Sequence, residues 1–259
     1  MIKGIKRLIQ RRDLIRHLVT AHVKSMHKNT LLGYVWWVLD PLLLAAVFVL
    51  LIGVILGRGG PAFPAFILAA IIPWKFFSSS VLRASRCIAQ RSSLLQQIPF
   101  PRAALPISTV LGEFVDFLFA LIPLFGVMFV YGLWPTACTL YLPLIIGVQM
   151  MFTMGFALLI SVCGAYFRDT PNLLTYLLRV WFYLSPALYS VDRVPERFRA
   201  VFLANPFATL FTSYRDVLMH GRPPDLQALG LTAAAGLALS VVALKIFLKH
   251  ENDLAKLVA

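Results

Sequence analysis

Six long apolar runs constrain the fold of this 259-residue chain more than any other feature. A hydrocarbon layer of about 30 Å takes about 20 helical residues to cross, at about 1.5 Å each. Runs of that order extend roughly from Tyr34 to Leu56, Phe63 to Ser80, Leu105 to Tyr131, Leu140 to Tyr166, Asn172 to Tyr189 and Leu226 to Leu248. In lipid the backbone has no water to bond, so each run is expected to satisfy itself as a helix. The second and fifth runs are the shortest. Each carries a proline and a basic residue, Pro73 with Lys75 and Pro186 with Arg179, and a re-entrant hairpin is the competing arrangement for either. With 59% apolar and 14% charged residues, a water-facing globule and a disordered chain are both excluded.

The formal charge is +13, and the cations cluster beside the apolar runs. Anionic lipid and membrane topology account for that pattern. Nucleic acid is not expected as a partner, because no zinc-finger or RNA-binding signature accompanies the charge. Cations gather in the segments before the first run, between the second and third, and after the sixth, which places both termini in the cytoplasm. The segment from Ser190 to Asp225 opposes this with Arg193, Arg197, Arg199, Arg215 and Arg222. Asp192, Glu196, Asp216 and Asp225 nearly neutralise it, and it is long enough to form short external helices.

The first thirty residues lack the compact apolar core and cleavage site of a signal peptide. Leu14, Ile15, Leu18, Val19, Val23 and Met26 instead recur at three- to four-residue intervals, opposite Arg12, Arg16, His17, Lys24 and Lys28. This predicts an amphipathic interface helix over residues 1–30, lying along the inner leaflet, ahead of a membrane domain over 31–259.

Several chemistries are missing. There is no G-x-x-x-x-G-K-[ST] loop, so the chain is not expected to hold a nucleoside triphosphate. His250-Glu251 is followed by Leu254 where a zinc hydrolase would need histidine, and Cys87, Cys138 and Cys163 lie far apart without ligand spacing. No catalytic residue, metal or cofactor is assigned.

Charges within the apolar runs are more informative, since each costs at least about 2.5 kcal/mol at a lipid-facing midplane position. Asp40, Lys75, Glu113, Asp116 and Arg179 qualify, and counting along the helices puts all five in or near the cytoplasmic half. They are either ion pairs between helices, or the lining of a wet vestibule in which Lys75 and Arg179, with Arg16 nearby, meet an anionic head group. A proton relay is a third reading, weakened because no histidine joins them within a span. Among the aromatics, Tyr34, Trp36, Trp37, Tyr176, Trp181 and Tyr183 are candidates to face a conduit and offer flat surfaces to sugar rings; packing and an interfacial belt are the alternatives. Gly53 and Gly57 form a weak G-x-x-x-G dimerisation motif.

Six pieces in order then resemble one family. Leu31-Leu32-Gly33-Tyr34-Val35-Trp36-Trp37 with Asp40-Pro41 precedes or opens the first helix, and Ile72-Pro73-Trp74-Lys75-Phe76-Phe77-Ser78-Ser79-Ser80 lies in the second. Ile98-Pro99-Phe100-Pro101-Arg102 with Leu105-Pro106 leads to the third, and Phe167-Arg168-Asp169 follows the fourth. Leu184-Ser185-Pro186 and Asn205-Pro206 complete the set. Together they resemble the membrane subunit of type-2 ABC exporters, specifically the permeases for O-antigen, capsule and teichoic acid.

The resemblance implies an all-α integral membrane protein: six transmembrane helices, the N-terminal interface helix, a short cytoplasmic coupling helix and short external gate helices. It implies a homodimer in the bacterial inner membrane bound to two copies of a P-loop ABC ATPase, which would carry ATP and Mg. This chain would be a transport subunit and not an enzyme. The coupling helix maps to Arg91, Ser92, Leu94, Leu95, Gln97 and Phe100, with Phe167, Arg168 and Asp169 as a secondary contact or helix-end clamp. The gate maps to Glu196 through Met219, with Arg197, Asn205 and Pro206. The conduit would form from the first and fifth helices at the dimer axis. The implied cargo is a polysaccharide, O-antigen foremost, on an undecaprenyl-type diphosphate lipid. Rivals are a type-2 exporter of a drug or small lipid, an integral-membrane transferase using Glu113 and Asp116, and a secondary transporter, for which no internal repeat is found.

Overall fold

The structure, a computed structural model, describes residues 10–26, 33–57, 59–91, 100–191, 194–251 and 253. All regular elements among them are helical. In chain order the α-helices are α1 (Arg12–Met26), α2 (Trp36–Phe48), α3 (Phe63–Ala84), α4 (Ala104–Val130), α5 (Leu142–Tyr166), α6 (Thr170–Leu184), α7 (Glu196–Leu203), α8 (Pro206–Arg215) and α9 (Leu226–His250). A π-helical segment, Val49–Ile55, continues α2, and a 3-10 turn, Ala137–Tyr141, leads into α5.

Five of the six expected spans are long and apolar enough to cross a membrane: Trp36–Ile55, Phe63–Ala84, Ala104–Val130, Ala137–Tyr166 and Leu226–His250. The run expected from Asn172 to Tyr189 differs. Its helix, α6, has 15 residues and stops at Leu184, where Ser185 turns extended ahead of Pro186. A proline disfavours helical backbone in the residue before it, and 15 residues rise only about 22 Å. The second run shows the opposite departure, since α3 reads through Pro73 and Lys75 for 22 residues.

Local chemistry explains several boundaries. Gly57 adopts φ +60 just beyond the π-helical segment, the left-handed position that ends a helix. That gives Gly57 a stop-signal role at the end of the first span. Asp225 caps α9 by accepting from the backbone N–H groups of Gln227 and Ala228 at 3.0 and 3.1 Å.

The core gathers on α3, most of whose residues are buried. Trp74 and Phe77 of α3 pack with Phe152 and Phe156 of α5, Trp181 and Phe182 of α6, and Phe207 of α8. Beside them runs a buried polar chain: Tyr214 Oη donates to Gln149 Oε1 at 2.6 Å, and Gln149 Nε2 donates to the Pro73 carbonyl at 2.7 Å. Helix α9 lies along α5 where small residues allow close approach. A Cβ at Gly236 would meet the Phe152 backbone at 3.2 Å, and Ser240 Oγ donates to the Met151 carbonyl.

Helix α1 docks on α4. Its Leu14, Ile15, Leu18 and Val19 are half-buried and Arg16, His17 and Lys24 are exposed, as the amphipathic pattern requires. Helices α2 and α6 are the contrast. Leu43, Leu44, Val47, Leu50, Leu51, Val54 and Ile55 of the α2 span, and Leu173, Tyr176, Leu177, Val180 and Tyr183 of α6, are exposed apolar surface.

Candidate functional site

A cavity of about 190 Å³ opens between α2, α3 and α4, lined by Trp36, Trp37, Asp40, Ile72, Lys75, Phe76, Ser79, Arg83, Glu113, Asp116, Phe117 and Ala120. It gathers four of the five charges expected within the apolar runs. Helical spacing explains the convergence: Lys75 and Ser79 lie one turn apart on α3, and Glu113, Asp116, Phe117 and Ala120 repeat at three to four residues along α4.

Pairing organises these charges. Lys75 Nζ and Asp40 Oδ2 form an ion pair between α3 and α2, with both side chains partly exposed. Glu113 is 4% exposed, and its Oε1 accepts from Arg83 Nε at 2.8 Å and sits 3.1 Å from His22 Nε2. One carboxylate oxygen thereby ties α1, α3 and α4 together. His22 is seated against Gly112, where a Cβ would overlap its ring. Asp116 Oδ1 is buried without a hydrogen-bond partner among the described residues.

The structure separates other residues that the sequence grouped. Arg179 is exposed on α6, near the Tyr176 ring at 6.0 Å, and does not line the cavity with Lys75. Arg16 is exposed on α1. Trp36 and Trp37 line the cavity, with Trp37 stacked on Phe119 at 4.2 Å. Tyr176 and Tyr183 are exposed on α6, whereas Trp181 turns into the aromatic core and donates to Asn205 Oδ1 at 3.1 Å. Nothing is described for the Tyr34 side chain.

Asn205 is a structural clamp. Its Oδ1 also accepts from the Phe207 N–H, capping α8, and its Nδ2 donates to Ser185 Oγ at the end of α6. Pro206 opens α8, and Arg197 of α7 lies over the Phe198 ring at 4.7 Å. Two short helices thus occupy the region expected to form the gate.

Of the expected coupling segment, Ser92, Leu94, Leu95 and Gln97 lie outside the described residues. Its two ends are described and firmly seated. Cys87, Ile88, Ala103, Ala104 and Leu105 form a cluster with Leu158, Val162, Ala243 and Phe247, against which Phe100 packs, while Arg91 is half-buried. The Arg102 N–H donates to Glu251 Oε1 at 2.9 Å, and its guanidinium donates to the Glu251 carbonyl. Phe167, Arg168 and Asp169 are exposed in the nearby turn from α5 to α6, and the Asp169 side chain makes no cap bond.

Sequence reasoning missed three residues. His22 and Glu113 meet across 91 positions, a separation no local pattern spans. Arg83 is one of the cations between the second and third apolar runs, from which the sequence indicates only membrane topology. Arg215 was counted as an outer charge, yet it is 4% exposed; its guanidinium donates to the Pro186 and Ala187 carbonyls at 2.7 and 2.5 Å and lies 3.5 Å from the Phe66 ring centroid.

Fold and cavity define a helical multi-pass membrane protein with a charged cavity at the end carrying the α3–α4 connection. Among the described residues no group of His, Cys, Asp and Glu is placed to hold a metal ion. Residues 13–219 match the ABC-2 type transporter family, and the chain belongs to that family. The O-antigen export system permease protein RfbA of Myxococcus xanthus is 32% identical over 99% of both chains. A Klebsiella pneumoniae protein of the same name is 29% identical over 95% of each. The polysialic acid transport protein KpsM of Escherichia coli is 23% identical over 92% of this chain and 93% of its own.

Proposed function

We propose that this chain is the permease subunit of an ATP-driven exporter that moves a lipid-linked polysaccharide, O-antigen foremost, across the bacterial inner membrane. The observation that carries the reading is the end-to-end likeness to O-antigen export permeases, at 32% identity over 99% of both chains. The cargo would travel on an undecaprenyl-type diphosphate lipid.

In this reading both termini and the α3–α4 connection face the cytoplasm, and two copies of a P-loop ATPase bind there with ATP and Mg. Residues 91–100 plug into the ATPase. Their flanks are seated on α5 and α9, so a stroke applied to the segment reaches both helices as a unit. Two copies of the chain pair through α2 and α6, whose exposed apolar faces support this arrangement, and the conduit forms between them. Helices α7 and α8 gate its outer end. A switch of this kind needs contacts that differ between states, which ATPase closure supplies at the coupling segment.

The chain is expected to copurify in mild detergent from its native host with a soluble P-loop ATPase at one to one. Making Leu94 and Leu95 charged should abolish that association while the permease stays in the membrane. Isolation as a stable species without an ATPase, under conditions that preserve such complexes, would sink the exporter reading.

A further inference from the structure

We propose that Arg83 is a phosphate-binding residue of the charged cavity, held in place by Glu113 and, through it, by His22 of α1. The inference deepens the export reading and rests on it, since it names the group that receives the anionic part of the cargo. The sequence favoured Lys75 and Arg179. Lys75 is committed to Asp40, and Arg179 lies away from the cavity on another helix.

Arg83 differs from both. Its side chain is 49% exposed and lines the cavity. Its one ion pair is made through Nε, at 2.8 Å from Glu113 Oε1, and the guanidinium makes no other ion pair or hydrogen bond among the described residues. A guanidinium held by Nε presents its two terminal nitrogens as a planar fork, which matches two oxygens of one phosphate. Glu113 supplies the fixed anchor: it is nearly fully buried and braced by His22, whose ring fills the space over Gly112. Docking of α1 therefore sets the direction of the fork. Lys75, two turns away on the same helix, lines the cavity too but is neutralised by Asp40, which leaves Arg83 as the cation with free donors.

A phosphate here has two sources, a diphosphate carrier lipid or an ordinary anionic phospholipid, and the test separates them. The full chain is placed in phosphatidylcholine nanodiscs and titrated with undecaprenyl diphosphate or with phosphatidylglycerol, bound lipid being counted by mass spectrometry. Wild type should take up undecaprenyl diphosphate, and Arg83→Gln should weaken it about tenfold or more, with Arg83→Lys between the two. Because Arg83→Gln leaves Glu113 short of a partner, the double variant Arg83→Gln with Glu113→Gln is measured as well. It removes both charges, should keep the wild-type melting temperature within a few degrees, and should bind as weakly as the single variant. Arg83-dependent uptake of phosphatidylglycerol with equal strength supports the phosphate site and assigns it to membrane lipid. Wild-type binding by the double variant overturns the proposal, as does a wild-type chain that takes up neither lipid. The exporter reading falls only by the copurification result, so the two failures are distinguishable.

Discussion

Two arginines at opposite ends of the bundle show how differently one side chain is used. Arg215 is buried, stacked on Phe66 and surrounded by backbone carbonyls of Pro186 and Ala187, with further contacts to those of Phe66 and Tyr189. Arg83 is half-exposed, holds one carboxylate through Nε and leaves its outer nitrogens toward a cavity. The first spends all three of its nitrogens on backbone carbonyls and binds the segment after α6 to α3 and α8. The second keeps donors in reserve. Counting charges along the chain treats the two alike; the difference lies in what the chain folds around them.

The largest expected effect breaks the comparison at Arg215. Arg215→Met leaves several buried carbonyls without donors, at about 1–3 kcal/mol each, so a loss of about 3 kcal/mol or more is expected. Folded protein in the membrane should fall sharply, as measured by detergent-resistant, monodisperse recovery. Arg215→Lys should recover only part of it, because an ammonium cannot span the same set of acceptors. Normal recovery of Arg215→Met would mean the residue is no lock. Arg83→Gln with Glu113→Gln should leave recovery intact and change lipid binding, the reverse outcome.

A smaller effect is expected at the polar chain between these ends. Gln149→Leu removes the acceptor of Tyr214 and the donor to Pro73, both buried, and should cost about 2 kcal/mol. Tyr214→Phe removes only the outer bond and should cost about 1 kcal/mol. Melting temperatures in one detergent check the order; equal losses would show that the Pro73 carbonyl does not depend on Gln149.

How far the sequence reached follows the same division between local and long-range causes. Five spans were legible because their apolar runs match the thickness of the bilayer, and α1 because its pattern repeats on one face. Helix α6 was overextended, since its apolar composition continues past Ser185 while the backbone does not. Asp40 and Lys75 form the ion pair between helices that was one of the two expectations, and both line the charged cavity. Glu113 and Asp116 were readable as one helical face, but His22 and Arg83 reach Glu113 only through tertiary packing. Trp181 was a conduit candidate by composition; the hydrogen bond to Asn205 turns it inward. A carbonyl cage such as that of Arg215 leaves no mark on composition at all.

The most local effect, read at a single thiol, sharpens the comparison at the Arg83 end, where the turn after α3 is seated on α5. A Cβ at Gly164 would overlap the backbone carbonyl of Ser85, which cannot swing aside, so Gly164→Ala forces α5 away from the turn after α3 and should cost about 3 kcal/mol. Cys87 reports on that seat. It is 4% exposed, and burial pushes its thiol up to about 12, so the reactive thiolate is scarce at neutral pH. In wild type a maleimide at pH 7 should leave Cys87 unmodified while denatured protein reacts fully. In Gly164→Ala the seat opens, water reaches the sulfur, and labelling of Cys87 should appear within the same exposure time, read by peptide mass spectrometry. Burial alone raises this thiol, since the other influences on it, the Arg91 charge among them, lower it. The gain in reactivity must therefore come from solvent access and not from a new charge. If Cys87 stays protected in Gly164→Ala while recovery falls, the α5 contact stabilises the bundle without seating the turn after α3, and the Arg102–Glu251 clasp is the contact that holds it.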